Sequence, residues 1–120
     1  MNMFYNDIRE LIGNTPLLKL NHFNLKNGIN LYAKLEYYNP GGSVKDRIGI
    51  AMIKQAEIDG VLKPGSTIIE ATAGNTGLGI AVAALNTGYK VIFVVPDKFS
   101  IEKQILMQAL GAKIINTNRE

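Results

Sequence analysis

The chain has 120 residues, 47% hydrophobic and 19% charged, a composition that fits one globular domain with a modest core rather than a disordered chain. Its net charge of +3 is spread without a basic run or interleaved aromatics, which argues against a nucleic-acid partner, and the longest apolar stretches, 80–85 and 91–95, are far short of a membrane span. It has no cysteine, one histidine (His22) and, in place of an apolar signal core, Asp7 and Glu10, so a cytoplasmic protein with no disulfide and no metal site is expected.

Tyr5–Ile12 predicts a short helix with Ile8, Leu11 and Ile12 on one face, Asn6 or Asp7 near its start and Gly13-Asn14 at its end. Thr15–Leu20 reads as a strand, Asn21–Asn30 as a polar loop, and Leu31–Glu36 alternates as a second strand. From Ser43 the period becomes helical: Ile48, Met52, Ile53 and Ala56 follow helical spacing, and Gly60 closes the helix near Asp59. Lys63-Pro64-Gly65 is a turn, Thr67–Glu70 a strand, and Gly74–Leu85 a small-residue helix with Gly88 as its C-cap. Lys90–Val95 is nearly continuously apolar, as a strand buried on both faces requires. Ser100–Leu110 is a further helix, stopped by Gly111, and Ala112–Asn116 is a last strand. The order from residue 31 is β-α-β-α-β-α-β, which predicts an α/β fold with a doubly wound, mostly parallel sheet and helices on both faces. Such a sheet would continue into another covering helix, so the sequence reads as part of a longer protein.

Two segments carry chemistry. In Pro40-Gly41-Gly42-Ser43-Val44-Lys45-Asp46-Arg47, Ser43 followed three residues later by Asp46 reads as a capping box. Lys45 then falls in the first turn of a helix, where a cation is disfavoured by roughly 0.3–1 kcal/mol. A neutral amine, or one tied up as an imine, escapes much of that penalty, and Gly41-Gly42 lets another molecule approach the backbone. A Schiff-base lysine beside an anionic cofactor is expected.

The second segment, Thr67 to Gly79, runs from a strand through Ala71-Thr72-Ala73-Gly74-Asn75-Thr76-Gly77 into a helix. In a parallel sheet this turn lies at the carboxyl ends of the strands, where ligands bind. The N–H groups of the helix start, the Thr72 and Thr76 hydroxyls and the Asn75 amide suit a carboxylate or phosphate. A competing reading is a dinucleotide-binding turn, with Asp97 taking a ribose hydroxyl. The glycine order there is G-x-x-G-x-G rather than G-x-G-x-x-G, and Lys45 is left unexplained.

Four blocks together resemble the pyridoxal-phosphate β-replacement enzymes of fold type II, the cysteine synthases (O-acetylserine sulfhydrylases) and cystathionine β-synthases. They are Ile12-Gly13-Asn14-Thr15-Pro16-Leu17; Lys34-Leu35-Glu36 leading to Asn39 through Arg47; Glu70 through Gly77; and Pro96 through Lys103 with Ala109-Leu110-Gly111-Ala112. The resemblance implies pyridoxal 5′-phosphate as cofactor, Lys45 as its covalent attachment and the base for the α-proton, and Asn75 as partner of its ring hydroxyl. Thr72, Ala73, Gly74, Asn75 and Thr76 would hold the amino acid's α-carboxylate. The implied reaction joins O-acetylserine, or serine, to sulfide to give cysteine, with homocysteine and cystathionine as the alternative; the block Asp97 to Lys103 leans towards the latter.

Where the family commonly has Ser, this chain has Ala73, and the lost hydroxyl donor is worth on the order of 1 kcal/mol. The family's phosphate loop and its serine facing the pyridine nitrogen have no counterpart here. The resemblance thus covers the amino-terminal part of such an enzyme, and the 120-residue chain alone is expected to be inactive. It implies that residues 1–36 pack on a second domain outside this sequence, that 37–120 form the small α/β domain, truncated at its end, and that the full-length enzyme is a homodimer.

Overall fold

The computed structural model describes residues 4–72 and 74–118. The expected opening helix is a single 3-10 turn, Ile8–Leu11, held at its start by the Asp7 carboxylate, which accepts the Arg9 N–H at 2.9 Å. Gly13, at φ +84°, turns the chain out of it before an α-helical ladder can build. The next two segments contract to three-residue strands, β1 (Leu17–Lys19) and β2 (Tyr32–Lys34), paired antiparallel with Leu17 opposite Lys34. β2 therefore does not open the parallel sheet, contrary to the expected β-α-β order. It lies mostly exposed, its backbone groups paired with β1, and Glu36 falls in a 3-10 turn, Glu36–Tyr38.

The α/β part follows the sequence closely: α1 (Lys45–Ile58), β3 (Thr67–Ala71), α2 (Asn75–Ala83), β4 (Lys90–Pro96), α3 (Ile101–Ala109) and β5 (Lys113–Thr117). β3, β4 and β5 form a parallel sheet in that order, with Glu70 opposite Phe93 and Phe93 opposite Ile114. One face, carrying Val91, Phe93 and Val95, packs with Leu78 and Ala81 of α2 and Met107 of α3. Phe93 and Met107 are fully buried, each worth about 1.5–3 kcal/mol against exposure. α2 is buried from Gly77 to Ala83 because it is small and apolar on every side and sits against α1 as well as the core. The register puts Ile69, Ile92, Val94 and Ile115 on the opposite face, where Ile69 and Ile115 are 65% and 44% exposed. Of the doubly wound arrangement, the described helices supply the cover of one face.

Helix ends depend on side chains as well as glycines. Gly60, φ +70°, follows the α1 C-cap Asp59 as expected. Gly88 is not the C-cap of α2, which ends at Ala84; Asn86 takes the left-handed conformation at φ +59°, and the Thr87 hydroxyl donates to the Ala84 carbonyl at 2.6 Å. Asparagine tolerates that conformation, so the helix stops four residues before the glycine. Among the described residues no helix is long and apolar enough to cross a membrane.

Candidate active site

Lys45 is the first residue of α1 and is half-buried. The start of α1 differs from the expected capping box. Val44 occupies the N-cap, and Ser43 Oγ accepts the Lys45 N–H at 3.1 Å. Asp46 does not reach back to Ser43; its Oδ2 accepts the Gly41 N–H at 2.5 Å. Aspartate is one methylene shorter than the glutamate of a capping box, and Gly41 comes close because a Cβ there would overlap Asp46 Oδ1. Asp46 is fully buried, and among the described residues its Oδ1 has no partner. Burial pushes the carboxyl above its ordinary pKa, against the opposing pull of the Gly41 N–H.

Arg47 is the centre of a polar hub. Its Nε donates to Glu36 Oε2 at 2.9 Å, and its Nη2 donates to Glu36 Oε1 at 3.0 Å, Thr15 Oγ1 at 3.1 Å and the Gly13 carbonyl at 3.0 Å. Glu36 also accepts from the Thr15 hydroxyl at 2.8 Å and from Asn39 Nδ2 at 2.9 Å. Asn39 Oδ1 in turn accepts the Gly13 N–H at 2.8 Å. The Arg47 guanidinium, then Thr15, hold the Glu36 carboxyl down at about 2. Thr15 and Asn39 are buried, and a Cβ on Gly13 would stand 2.9 Å from Arg47 Nη1. Two of the resembling blocks thus meet at one guanidinium. Their shared residues at 13, 15, 36, 39 and 47 were the only sequence signal for it, because the contacts span up to 34 residues.

The second segment folds as expected from strand to helix. Thr72 is buried at the end of β3, and its Oγ1 accepts the Gly77 N–H at 3.0 Å and the Gly74 N–H at 3.5 Å. It caps the helix start while its own hydroxyl proton stays available to donate. Gly77 allows this, since a Cβ would lie 2.5 Å from Thr72 Cγ2 and 2.9 Å from Met107 Cε. Asn75 and Thr76 are the first two residues of α2, Asn75 exposed and Thr76 half-buried. Ala73, expected in the carboxylate loop, lies outside the described residues. Lys103 of α3 was not expected here: its Nζ donates to Asn75 Oδ1 at 3.3 Å and stands 3.6 Å from where a Gly74 Cβ would be. Thr72, Val94, Phe99 and Thr117 line a cavity of about 320 Å³ at the carboxyl end of the sheet.

The two segments are joined by backbone contact between α1 and α2. A Cβ on Gly79 would lie 2.6 Å from the Lys45 carbonyl carbon and 3.0 Å from Asp46 N; one on Gly49 would lie 2.8 Å from Ile80 N. Gly79 is about one helical turn along α2 from Asn75. The backbone of Lys45 therefore lies one turn from the start of the anion-suited helix. An amine, an amide able to donate, two hydroxyls and a helix N-terminus suit an aldehyde cofactor carrying anionic groups and an amino-acid carboxylate. Among the described residues no three His, Cys, Asp or Glu side chains gather as metal ligands would.

The family model described as pyridoxal-phosphate dependent enzyme matches residues 8–120. The O-acetylserine dependent cystathionine β-synthase of Bacillus subtilis is 60% identical over 114 residues, which is 95% of this chain and 37% of that protein. The cysteine synthase of Staphylococcus aureus (strain Mu50 / ATCC 700699) is 49% identical over 111 residues, 92% of this chain and 36% of that protein. The crystal structure of O-acetylserine dependent cystathionine β-synthase from Helicobacter pylori superimposes with a TM-score of 0.88 at 46% identity, over 98% of this chain and 39% of that one. The chain thus spans well under half the length of the relatives it matches. With the family match running through nearly all of its residues, the chain belongs to the pyridoxal-phosphate dependent enzymes, in their fold type II form.

Proposed function

We propose that the protein carrying this chain catalyses β-replacement on O-acetylserine, with a sulfur nucleophile displacing acetate. The observation that carries this reading is the contact between the Lys45 end of α1 and α2, the helix that starts at Asn75 and Thr76. Pyridoxal phosphate, when bound, supplies an electron-withdrawing ring conjugated to the substrate nitrogen, which acidifies Cα–H. Lys45 would be the covalent attachment point, and its amine, when free, the base that takes the Cα proton. Asn75 donates its amide N–H to the ring oxygen, and Lys103 on Asn75 Oδ1 keeps the amide turned that way, since an ammonium can only donate. Thr72, Gly74, Asn75 and Thr76 bind the α-carboxylate at the start of α2, with Ala73 contributing its backbone. The Cβ–O bond breaks with its electron pair leaving on acetate, the nucleophile enters as thiolate or hydrosulfide to form the Cβ–S bond, and Lys45 returns the proton to Cα.

The 60% identity to the Bacillus subtilis protein and the Asp97–Lys103 block support homocysteine as nucleophile, giving cystathionine. The 49% identity to a cysteine synthase supports sulfide, giving cysteine, as the second reading. Holoenzyme assayed with O-acetylserine and with serine, each against sulfide and homocysteine, separates them by product. Turnover only with serine would refute the O-acetylserine assignment, and turnover with none of the four pairs would refute β-replacement.

A further inference from the structure

Arg47 sits two residues beyond Lys45 on α1. Side chains two apart on a helix point roughly 200° from one another, so Arg47 leaves the opposite side of α1 from Lys45. It does so at the first turn, where a helix frays most readily. Four hydrogen bonds from one guanidinium reach Glu36, Thr15 and Gly13, two segments that are remote in sequence. Each accepting residue is itself held: Glu36 by Thr15 and Asn39, Gly13 through its N–H on Asn39, and Thr15 through its hydroxyl on Glu36 and its carbonyl, which accepts from Lys34 Nζ at 2.6 Å. The Arg47 and Glu36 side chains are 39% and 22% exposed, and a pair that wet adds little stability. Its directional content is large, however, because the fork engages both carboxylate oxygens and two further acceptors at once.

We infer that Arg47 and Glu36 are positioning residues for Lys45. Holding the back of the α1 start through Thr15 and Gly13, they fix where the Lys45 amine emerges, which makes the segment before β1 part of the site. This rests on the reading of Lys45 as the attachment point, and deepens it. The hub touches neither cofactor nor substrate; it acts through the helix alone. Lysine cannot replace arginine here, because an ammonium cannot span the four acceptors in one plane.

The test separates cofactor binding from covalent attachment. Holoenzyme and the variants R47M, R47K, E36Q and T15V are equilibrated with pyridoxal phosphate. Total bound cofactor is measured by dialysis, and cofactor fixed on Lys45 by borohydride reduction and peptide mass. A displaced amine lowers the attached-to-bound ratio by roughly ten- to a hundredfold in R47M and R47K, less in E36Q and least in T15V. Melting curves identify folded variants, and if R47M does not fold, the ratios of R47K, E36Q and T15V decide. Folded variants that keep the wild-type ratio overturn the inference, leaving Arg47 a structural staple. A wild-type protein that binds cofactor but labels no Lys45 overturns the attachment reading itself, a result distinguishable from the first.

Discussion

Replacing Gly79 by alanine tests the contact that joins the two halves of the site. The added Cβ would stand 2.6 Å from the Lys45 carbonyl carbon and 3.0 Å from Asp46 N, where ordinary contact begins at 3.4 Å. The Lys45 carbonyl oxygen stands closer still, so α1 must retreat by about 1 Å, and the opposing atoms are backbone, with no side chain to swing aside. Over-packing of this kind destabilises by about 1–3 kcal/mol, while alanine in a helix gains about 1 kcal/mol over glycine. With only backbone opposing the new Cβ, the clash takes the upper part of that range, about 2–3 kcal/mol, so the net expectation is a loss of about 1–2 kcal/mol, read as a lower urea midpoint at unchanged slope. Gly49→Ala pushes on the same contact from α1, so the double variant should lose less than the sum of the singles. Ala51→Gly, exposed on α1, serves as control and should lose about 1 kcal/mol by helix propensity alone. A G79A protein with a midpoint at or above wild type would refute the close approach, for propensity would then be the only effect seen.

Asp46→Asn should change how stability depends on pH. The folded carboxyl has a raised pKa, so the fold binds more protons than the unfolded chain once pH passes 3.8, and wild type should lose stability from there up through the folded value. Asp46→Asn should lack this loss while still accepting the Gly41 N–H, and parallel pH curves for the two proteins would contradict the burial argument. Glu36 works in the opposite sense. Its carboxyl is held at about 2 against an ordinary 4.5, so its contribution is full above 4.5 and lost as pH falls towards 2. Glu36→Gln should flatten that acid limb, and an unchanged limb would mean the hub carries no charge-dependent stability.

How much of this was legible in the sequence depends on the reach of each interaction. Lys45 in the first turn of a helix, and Asn75 at the head of another, follow from local changes of period around Ser43 and Gly74. Strand and helix limits from residue 45 onward fall within a few residues of expectation for the same reason. The capping box failed on a local detail, the shorter arm of Asp46, which finds Gly41 before Ser43. Pairing of β2 with β1 was not legible, because a three-residue alternation does not name its partner. Nor were the roles of Arg47 and Lys103, whose partners lie 11 to 34 and 28 residues away. The close approach at Gly49 and Gly79 was not legible either, because only the crossing of α1 and α2 gives them opposite neighbours.

The polar hub has a consequence for the order of events as the chain folds. The buried apolar cluster begins at Ile53 and owes nothing to residues 13–39. The hub is closed by the Arg47–Glu36 ion pair and by hydrogen bonds across separations of 32 and 34 residues, so it forms a unit able to open while the α/β core stays intact. Closing such a loop is entropically modest, but it follows the assembly of the surface onto which it docks. A refolding chain is therefore expected to regain its helices and sheet before the start of α1 is fixed, and on the role proposed for Lys45 its covalent uptake of the cofactor would trail the recovery of secondary structure.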